Sequence, residues 1–167
     1  MSAERTRSEY RLSPLVVPDD DPLGGVALGR VAIRRIERDD RAAAAGLMLT
    51  AYRGTIDDEG EDEAAALDAI DYYFSTIVWP CSFAVLDGGR LVAMSLVVIV
   101  DERHYIDPVA TSGSHKGRGL GREVVAASLR ALAEHGVTEV GATITDGNEP
   151  SERLFAGLGF ERVGQWA

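Results

Sequence analysis

Between Val109 and Leu120 the chain carries Gly113, Gly117, Gly119 and Gly121, interleaved with Lys116, Arg118 and Arg122. The segment before this turn reads as a strand over about residues 104–110, and the segment after it as a helix over 120–135. A helix N-terminus offers backbone N–H groups that have no partner inside the helix, together with a partial positive charge. Glycine lets the main chain approach a ligand closely and take positive φ. Cations beside such amides make a phosphate or pyrophosphate the expected ligand. A tight strand-to-helix connection would need the glycines but not the flanking cations. Two familiar phosphate loops do not fit. No G-x-x-x-x-G-K-[ST] string occurs, and Gly117-x-Gly119-x-Gly121 brings its third glycine one residue too soon for the dinucleotide fingerprint, and late in the chain.

The turn must be held by a sheet and helices, and the punctuation of the sequence supplies them. Residues 31–36 alternate like a half-buried strand. Asp39 and Asp40 suit the N-terminus of a helix that continues to about Tyr52. A polar, acidic loop follows, and a second helix covers about 63–77, closed by Pro80. Residues 82–86 read as a strand, Asp87-Gly88-Gly89 as a hairpin turn, and 91–100 as the returning strand. On the helix after the glycine turn, Leu120, Val124, Ala127, Ala131 and Leu132 fall on one face, and Gly136 suits its end. A strand over 138–145, a short helix over 148–157 and a last strand over 160–165 complete the order β-α-α-β-β-β-α-β-α-β. This is an α/β chain with a mixed sheet and helices packed on it. Residues 1–29, with Pro14, Pro18, Pro22 and the run Asp19-Asp20-Asp21, are expected to form an irregular arm before a domain over 30–167. Within the arm, residues 10–17 could pair as a strand despite Pro14.

Composition narrows the function classes. The chain has 167 residues and a formal net charge of −10, which favours one domain and argues against nonspecific nucleic-acid binding. The acidic balance is compatible with steering a cationic substrate. The single cysteine, Cys81, excludes an internal disulfide framework and suits a reducing, cytoplasmic location. Leu91 to Val100 is the longest apolar stretch, far short of the roughly 20 residues that span a bilayer, so no membrane partner is expected, nor is a metal.

The turn Lys116-x-x-Gly119-x-Gly121 resembles the pyrophosphate loop of the GCN5-related N-acetyltransferase (GNAT) family, whose pattern is Arg/Gln-x-x-Gly-x-Gly/Ala. Lysine here keeps the charge and loses the forked donor. A second element resembles the family's N-x-x-A-x-x-L-Y followed by a G-F pair: Asn148 to Leu154-Phe155, then Gly159-Phe160. The two occur in order, on matching elements, and the resemblance covers roughly residues 30–166. It implies the GNAT fold, with acetyl-CoA as cofactor. The strand ending near Val109 would splay from the strand over 138–145. The pantetheine arm would lie in that gap on main-chain groups near Val109 and Thr111, and would meet Asn148. The pyrophosphate would sit on the amides from Gly117 to Arg122. The family also usually has one more strand after 160–165; the N-terminal arm or a second subunit is expected to cover the edge left without it.

In the family an amine attacks the thioester directly, a base takes the amine proton, and the tyrosine of the L-Y pair commonly protonates the leaving thiolate. That position is Phe155 here, which has no proton to give. Asp107 and His104 lie on or next to the strand that faces the acyl group in relatives, and Asp107 is the expected base or water positioner. Asp57, Asp58 and Glu59 lie in the loop that shapes the acceptor site in relatives and are expected to bind an ammonium group; the same loop also fits simple solvation. Asn148 equally suits a helix N-cap. His115 reads as an exposed turn residue, His135 as serving a helix end, Cys81 as a small buried hydrophobe, Tyr72 and Tyr73 as core or pocket wall, and Arg34 and Arg35 as surface charges. The expected activity is acetyl transfer from acetyl-CoA to a primary amine on a cationic acceptor, a small molecule or a peptide, by a chain that could form a homodimer. The competing expectation is an acyl-CoA-binding regulatory module with little turnover. A third, acetylation of charged tRNA, is disfavoured by the net charge.

Overall fold

A computed structural model describes residues 5–18 and 31–166. Its elements in chain order are β1 (Arg7–Leu12), β2 (Val31–Arg35), α1 (Arg41–Tyr52), α2 (Glu63–Thr76), β3 (Phe83–Asp87), β4 (Arg90–Val100), β5 (Arg103–Thr111), α3 (Leu120–Glu134), β6 (Val140–Thr145), α4 (Glu149–Gly157) and β7 (Glu161–Gln165). They form one seven-stranded sheet in the order β2-β3-β4-β5-β6-β1-β7. Each expected element from residue 31 onward is present, with ends shifted by one or two residues.

The correction lies at the N-terminus. The expected irregular arm holds a regular strand at Arg7–Leu12, ending before Pro14, and β1 is interior to the sheet: it pairs antiparallel with β6 on one side and β7 on the other. The order read from the sequence lacked this strand, and β1 occupies the place next to β7 that the family's additional strand was expected to need. Residues 19–29 of the arm lie outside the described residues. The two-faced character of β1 explains its position. Ser8 and Leu12 are buried at 0% and 4% exposure, whereas Arg7, Glu9 and Arg11 point to the other side, as strand alternation requires.

Both faces of the sheet carry helices. α1 and α2 bury Leu47, Ala51, Ala66 and Ile70 against Met94, Leu96 and Ala110. On the opposite face α3 and α4 bury Val125, Leu129, Phe155 and Leu158 against Ile106, Val140, Ala142 and Ile144. The hairpin between β3 and β4 turns on Gly88 and Gly89, both at positive φ (57° and 83°), the backbone that a two-residue hairpin demands. At the start of α1, Glu37 and Asp40 form a capping box on a 3-10 turn over Arg38–Asp40. Arg34 grips the same Asp40 with both guanidinium nitrogens, at 2.7 and 2.9 Å, so it is more than a surface charge.

Two features of β5 shape the site. Its parallel pairing with β6 reduces to Tyr105 opposite Gly141, so the two strands part beyond that point, as expected. Its register with β4 also slips: Val97 faces Ile106 but Ser95 faces Val109. The extra residue falls at Asp107-Pro108 and forms a bulge. A bulge changes the direction of the side chains after it. Ile106 packs with α3 and α4, and Ala110 with α1 and α2, although uniform alternation would put both on one face.

Candidate functional site

The glycine turn has the backbone its sequence demands. Gly117 and Gly119 sit at φ 80° and 79°, in the left-handed region open to glycine. Gly119 is the N-cap of α3 and makes no side-chain cap, so the first-turn N–H groups of Leu120 and Gly121 point outward without an intrahelical acceptor. A Cβ on Gly121 would stand 3.5 Å from both Leu154 Cδ1 and Thr111 Oγ1, so this residue joins the end of β5 to α4. The preceding turn is anchored by His115, whose Nε2 lies 2.9 Å from Asp87 Oδ2 and whose Nδ1 lies 2.9 Å from Ser114 Oγ. His115 is therefore packed, with its side chain 13% exposed, and the expectation of an exposed turn residue is corrected. Lys116 Nζ donates to Ala51 O at 2.8 Å, which ties the turn to the last turn of α1. Arg118 is exposed and Arg122 half-buried.

Val109 and Thr111 lie past the bulge, with Val109 packed on the α3–α4 side. Val109 O accepts from Tyr52 Oη at 3.3 Å. Asn148 caps α4 by accepting from Ser151 N at 3.3 Å, and its Nδ2 donates to Asp57 Oδ2 at 2.8 Å. Thr145 Oγ1 donates to the other Asp57 oxygen at 2.6 Å. The acidic loop is thereby docked on the C-terminal end of β6. Asp58 turns back onto the loop, and Glu59 reaches toward the residues before β1. Asp58 accepts from Gly54 N and Gly60 N at 2.8 and 2.9 Å, which lowers its pKa, and Glu59 lies 3.5 Å from Arg5.

On the α1–α2 face, at the point where β5 and β6 part, stands Asp107. Its side chain is 24% exposed and Arg7 Nη2 of β1 lies 4.0 Å away. Burial pushes its carboxyl up to about 6, the Arg7 guanidinium offsets part of that rise, and the Asp57 carboxylate adds to it. Tyr52 and Tyr73 line the same space; burial, then the charge of Asp107, raises both phenols above their ordinary range. His104 belongs elsewhere. Alternation places it with Ile106 on the opposite face, where burial lowers its pKa, so of the two candidate bases only Asp107 meets the site. Phe155 is 4% exposed and packs edge-on against Phe160 at 5.0 Å, so no proton donor stands there. Among the described residues no group of three or more His, Cys, Asp or Glu is arranged to hold a metal.

Sequence reasoning missed Arg7, Tyr52 and Thr145. The signal for Arg7 was the alternation Arg7-Ser8-Glu9-Tyr10-Arg11-Leu12, polar on one face and packed on the other, which Pro14 obscured.

The family model described as Acetyltransferase (GNAT) family matches residues 47–160. No curated protein sequence matches the chain. Solved structures do. A GCN5-related N-acetyltransferase from Sphaerobacter thermophilus superposes with a TM-score of 0.69 at 14% identity, over 96% of this chain and 49% of that one. The ribosomal-protein-S18-alanine N-acetyltransferase from Escherichia coli gives 0.65 at 18% identity, over 80% and 79%. The aminoglycoside N-acetyltransferase AAC(6')-Iy in complex with CoA gives 0.63 at 16%, over 82% and 91%. This chain spans about half the length of the first of these. At such identities the likeness is one of fold. Among the described residues no helix is long and apolar enough to cross a membrane.

Proposed function

The chain belongs to the GNAT acetyltransferase family, and from that premise we propose that it transfers an acetyl group from acetyl-CoA to a primary amine, in the cytoplasm. The observation that carries this reading is the meeting of two features at one gap. An uncapped helix N-terminus at Gly119 opens beside the parting of β5 and β6, and the Asp107 carboxyl, pushed up to about 6, stands at the same parting.

The residues fit the donor. The amides from Gly117 to Arg122 would hold the pyrophosphate, with Arg118, Arg122 and Lys116 adding positive charge. For Lys116 this means leaving Ala51 O or acting from there as a point charge. Main-chain groups of Val109 and Thr111 would take the pantetheine arm, with Asn148 at its side. Bound there, acetyl-CoA would supply a thioester whose C–S bond would break as the N–C bond to the amine forms, and with Phe155 at the donor position the released thiolate would take its proton from solvent. On the protein side, Asp107 binds the ammonium of the acceptor and takes its proton, near enough to neutral pH for efficient exchange. The ammonium-binding role expected of the acidic loop falls in this reading to Asp107, while Asp57 fastens the loop to Thr145 and Asn148 and Asp58 and Glu59 shape it.

One observation favours a second reading, an acyl-CoA-binding module with little turnover: Phe155 stands buried where the family's proton donor would be. Thiol release from acetyl-CoA across a panel of amines, alongside a thermal shift with acetyl-CoA, separates the two. A shift with thiol release supports the transferase. A shift without release on any amine favours the module, and no shift at saturating acetyl-CoA removes both.

A further inference from the structure

β1, β6 and β5 lay a polar strip along the α1–α2 face of the sheet, beyond the cover of the helices. Arg7, Glu9 and Arg11 stand opposite Thr145, Thr143 and Gly141, with Tyr105 and Asp107 alongside. The Tyr105 ring lies flat across β6: a Cβ on Gly141 would come within 2.6 Å of it. Most of this strip is internally satisfied. Arg11 is held by Glu9 at 2.8 Å, by Glu139 at 3.3 Å and by Tyr105 Oη at 3.4 Å. Tyr105 Oη in turn donates to Glu9 at 2.6 Å, and Asp57 is committed to Thr145 and Asn148.

Arg7 and Asp107 are different. Among the described residues the Arg7 guanidinium makes one hydrogen bond, from Nη2 to Thr143 O at 3.1 Å, and its Nε is buried with no partner. Among the described residues the Asp107 carboxylate accepts no hydrogen bond, and the two groups stand side by side at 4.0 Å, too far apart to satisfy each other. Arg7 is 39% and Asp107 24% exposed in their side chains, so both are within reach of a ligand, and a guanidinium fork suits a carboxylate in two-point contact. A cation and an anion set next to one another, each with bonding capacity left over, complement a ligand that carries an anion and a cation on neighbouring atoms.

We propose that the acceptor is an α-amino acid: its carboxylate pairs with Arg7 and its ammonium with Asp107, giving Arg7 the role of specificity determinant. This rests on the acyl-transfer reading above and deepens it. The pairing leaves the amine beside the base and directs the rest of the amino acid along the Tyr105 side of the strip. It also accounts for an Arg inside an acidic site that a purely cationic acceptor would find repulsive.

The test uses the full chain and matched sets of ligands: the common α-amino acids, their carboxamides, and the amines lacking the carboxyl carbon. Thiol release is followed at saturating acetyl-CoA, and binding is followed by calorimetry on the protein with CoA present and absent. At least one amino acid is expected to react with kcat/KM about tenfold or more above its amide and its decarboxylated amine, the scale of one charge-assisted contact. Arg7→Gln is expected to bring the acid-to-amide ratio of kcat/KM down toward one by raising KM for the acid, and Arg7→Lys to recover part of that preference. The comparison of acid with amide on the unmodified protein needs no variant to fold. Equal turnover of acid and amide, binding of no amino acid in either state, or an acid-to-amide preference that Arg7→Gln leaves intact would overturn the proposal. The thermal shift with acetyl-CoA reads the transferase assignment separately, so a failure of the donor site and a failure of the acceptor assignment are distinguishable.

Discussion

Asn148 Nδ2 reaches 2.8 Å to Asp57 Oδ2, and through that bond the loop after α1 is fastened to the first turn of α4. The other Asp57 oxygen takes Thr145 at the end of β6, so one half-buried carboxylate joins three elements around the site. Replacing Asp57 by Ala leaves two donors without partners, a loss of about 1–3 kcal/mol. Thermal melting should therefore fall by roughly 2–10 °C, and the KM of the amine should rise more than that of acetyl-CoA. A melting point unchanged from the parent would mean that the loop is held some other way.

Gly119 gives a second prediction. With φ at 79°, alanine there costs about 1–2 kcal/mol and turns the first amides of α3. Gly119→Ala should melt a few degrees lower and bind acetyl-CoA at least about tenfold more weakly, read by calorimetry. Gly46 in α1 is the control, being helical and exposed with nothing within 4 Å of an added Cβ. Gly46→Ala should be neutral or stabilising by about 0.5–1 kcal/mol and leave acetyl-CoA binding alone. If both variants bind acetyl-CoA like the parent, the turn is a connection and not a phosphate site.

Local chemistry explains what the sequence made legible. Glycines at 88 and 89, the capping residues at 40 and 148, and the periodic apolar positions of α3 act over a few residues, so they mark strands, turns and helices from the string alone. The glycine turn belongs to the same class, because its positive φ values are met by the glycines at those positions. What was hidden depends on pairing at a distance. β1 is short and stops before a proline, and only its two partners, more than 120 residues away, make it a central strand. The bulge at Asp107-Pro108 arises from register with β4 and decides which faces Val109 and Ala110 take beyond it. The commitments of Asp58 to its own loop and of Lys116 to Ala51 are likewise tertiary, and charge composition could not distinguish them from exposed groups.

The Asp107 carboxyl makes stability and activity depend on pH in opposite directions. Its pKa rises on folding from 3.8 to about 6, so between those values the folded state holds a proton that the unfolded chain has released. Stability must then fall as pH rises through that window and level off above about 6. The full difference is at most roughly 3 kcal/mol. Asp107→Asn removes the titration; its melting point should exceed that of the parent at pH 7–8 and converge with it near pH 4. Activity runs the other way. As a base, Asp107 must be ionised, so kcat/KM should climb as pH rises to about 6 and then flatten, and Asp107→Asn should lose about 10²–10⁴-fold. A parent profile flat from pH 5 to 8 with an active Asn variant would remove Asp107 from the mechanism.

Removal of residues 1–12 tests whether β1 is a structural core strand or an appendage. On one side, six residues of β1 register with β6, from Arg7 opposite Thr145 to Leu12 opposite Val140. On the other, Ser8 to Arg11 register with Gln165 to Glu161. Deleting the strand would leave two facing ladders of unpaired N–H and C=O groups and detach β7 from the sheet, since β7 touches it through β1 alone in the strand order. Unpaired edges of that kind drive aggregation. Ser8, fully buried, also accepts from Arg162 Nε at 3.0 Å, and Leu12 belongs to the core beneath α4. The deleted protein should accordingly fail to give a soluble, cooperatively melting product, whereas Arg7→Gln, which changes only the face toward the site, should melt within a few degrees of the parent. Should the deletion variant instead remain soluble with a single sharp transition, the sheet would have to close β6 directly on β7. Arg7 would then be an addition to a site that is complete without it, which the acid-to-amide preference of the same variant would reveal.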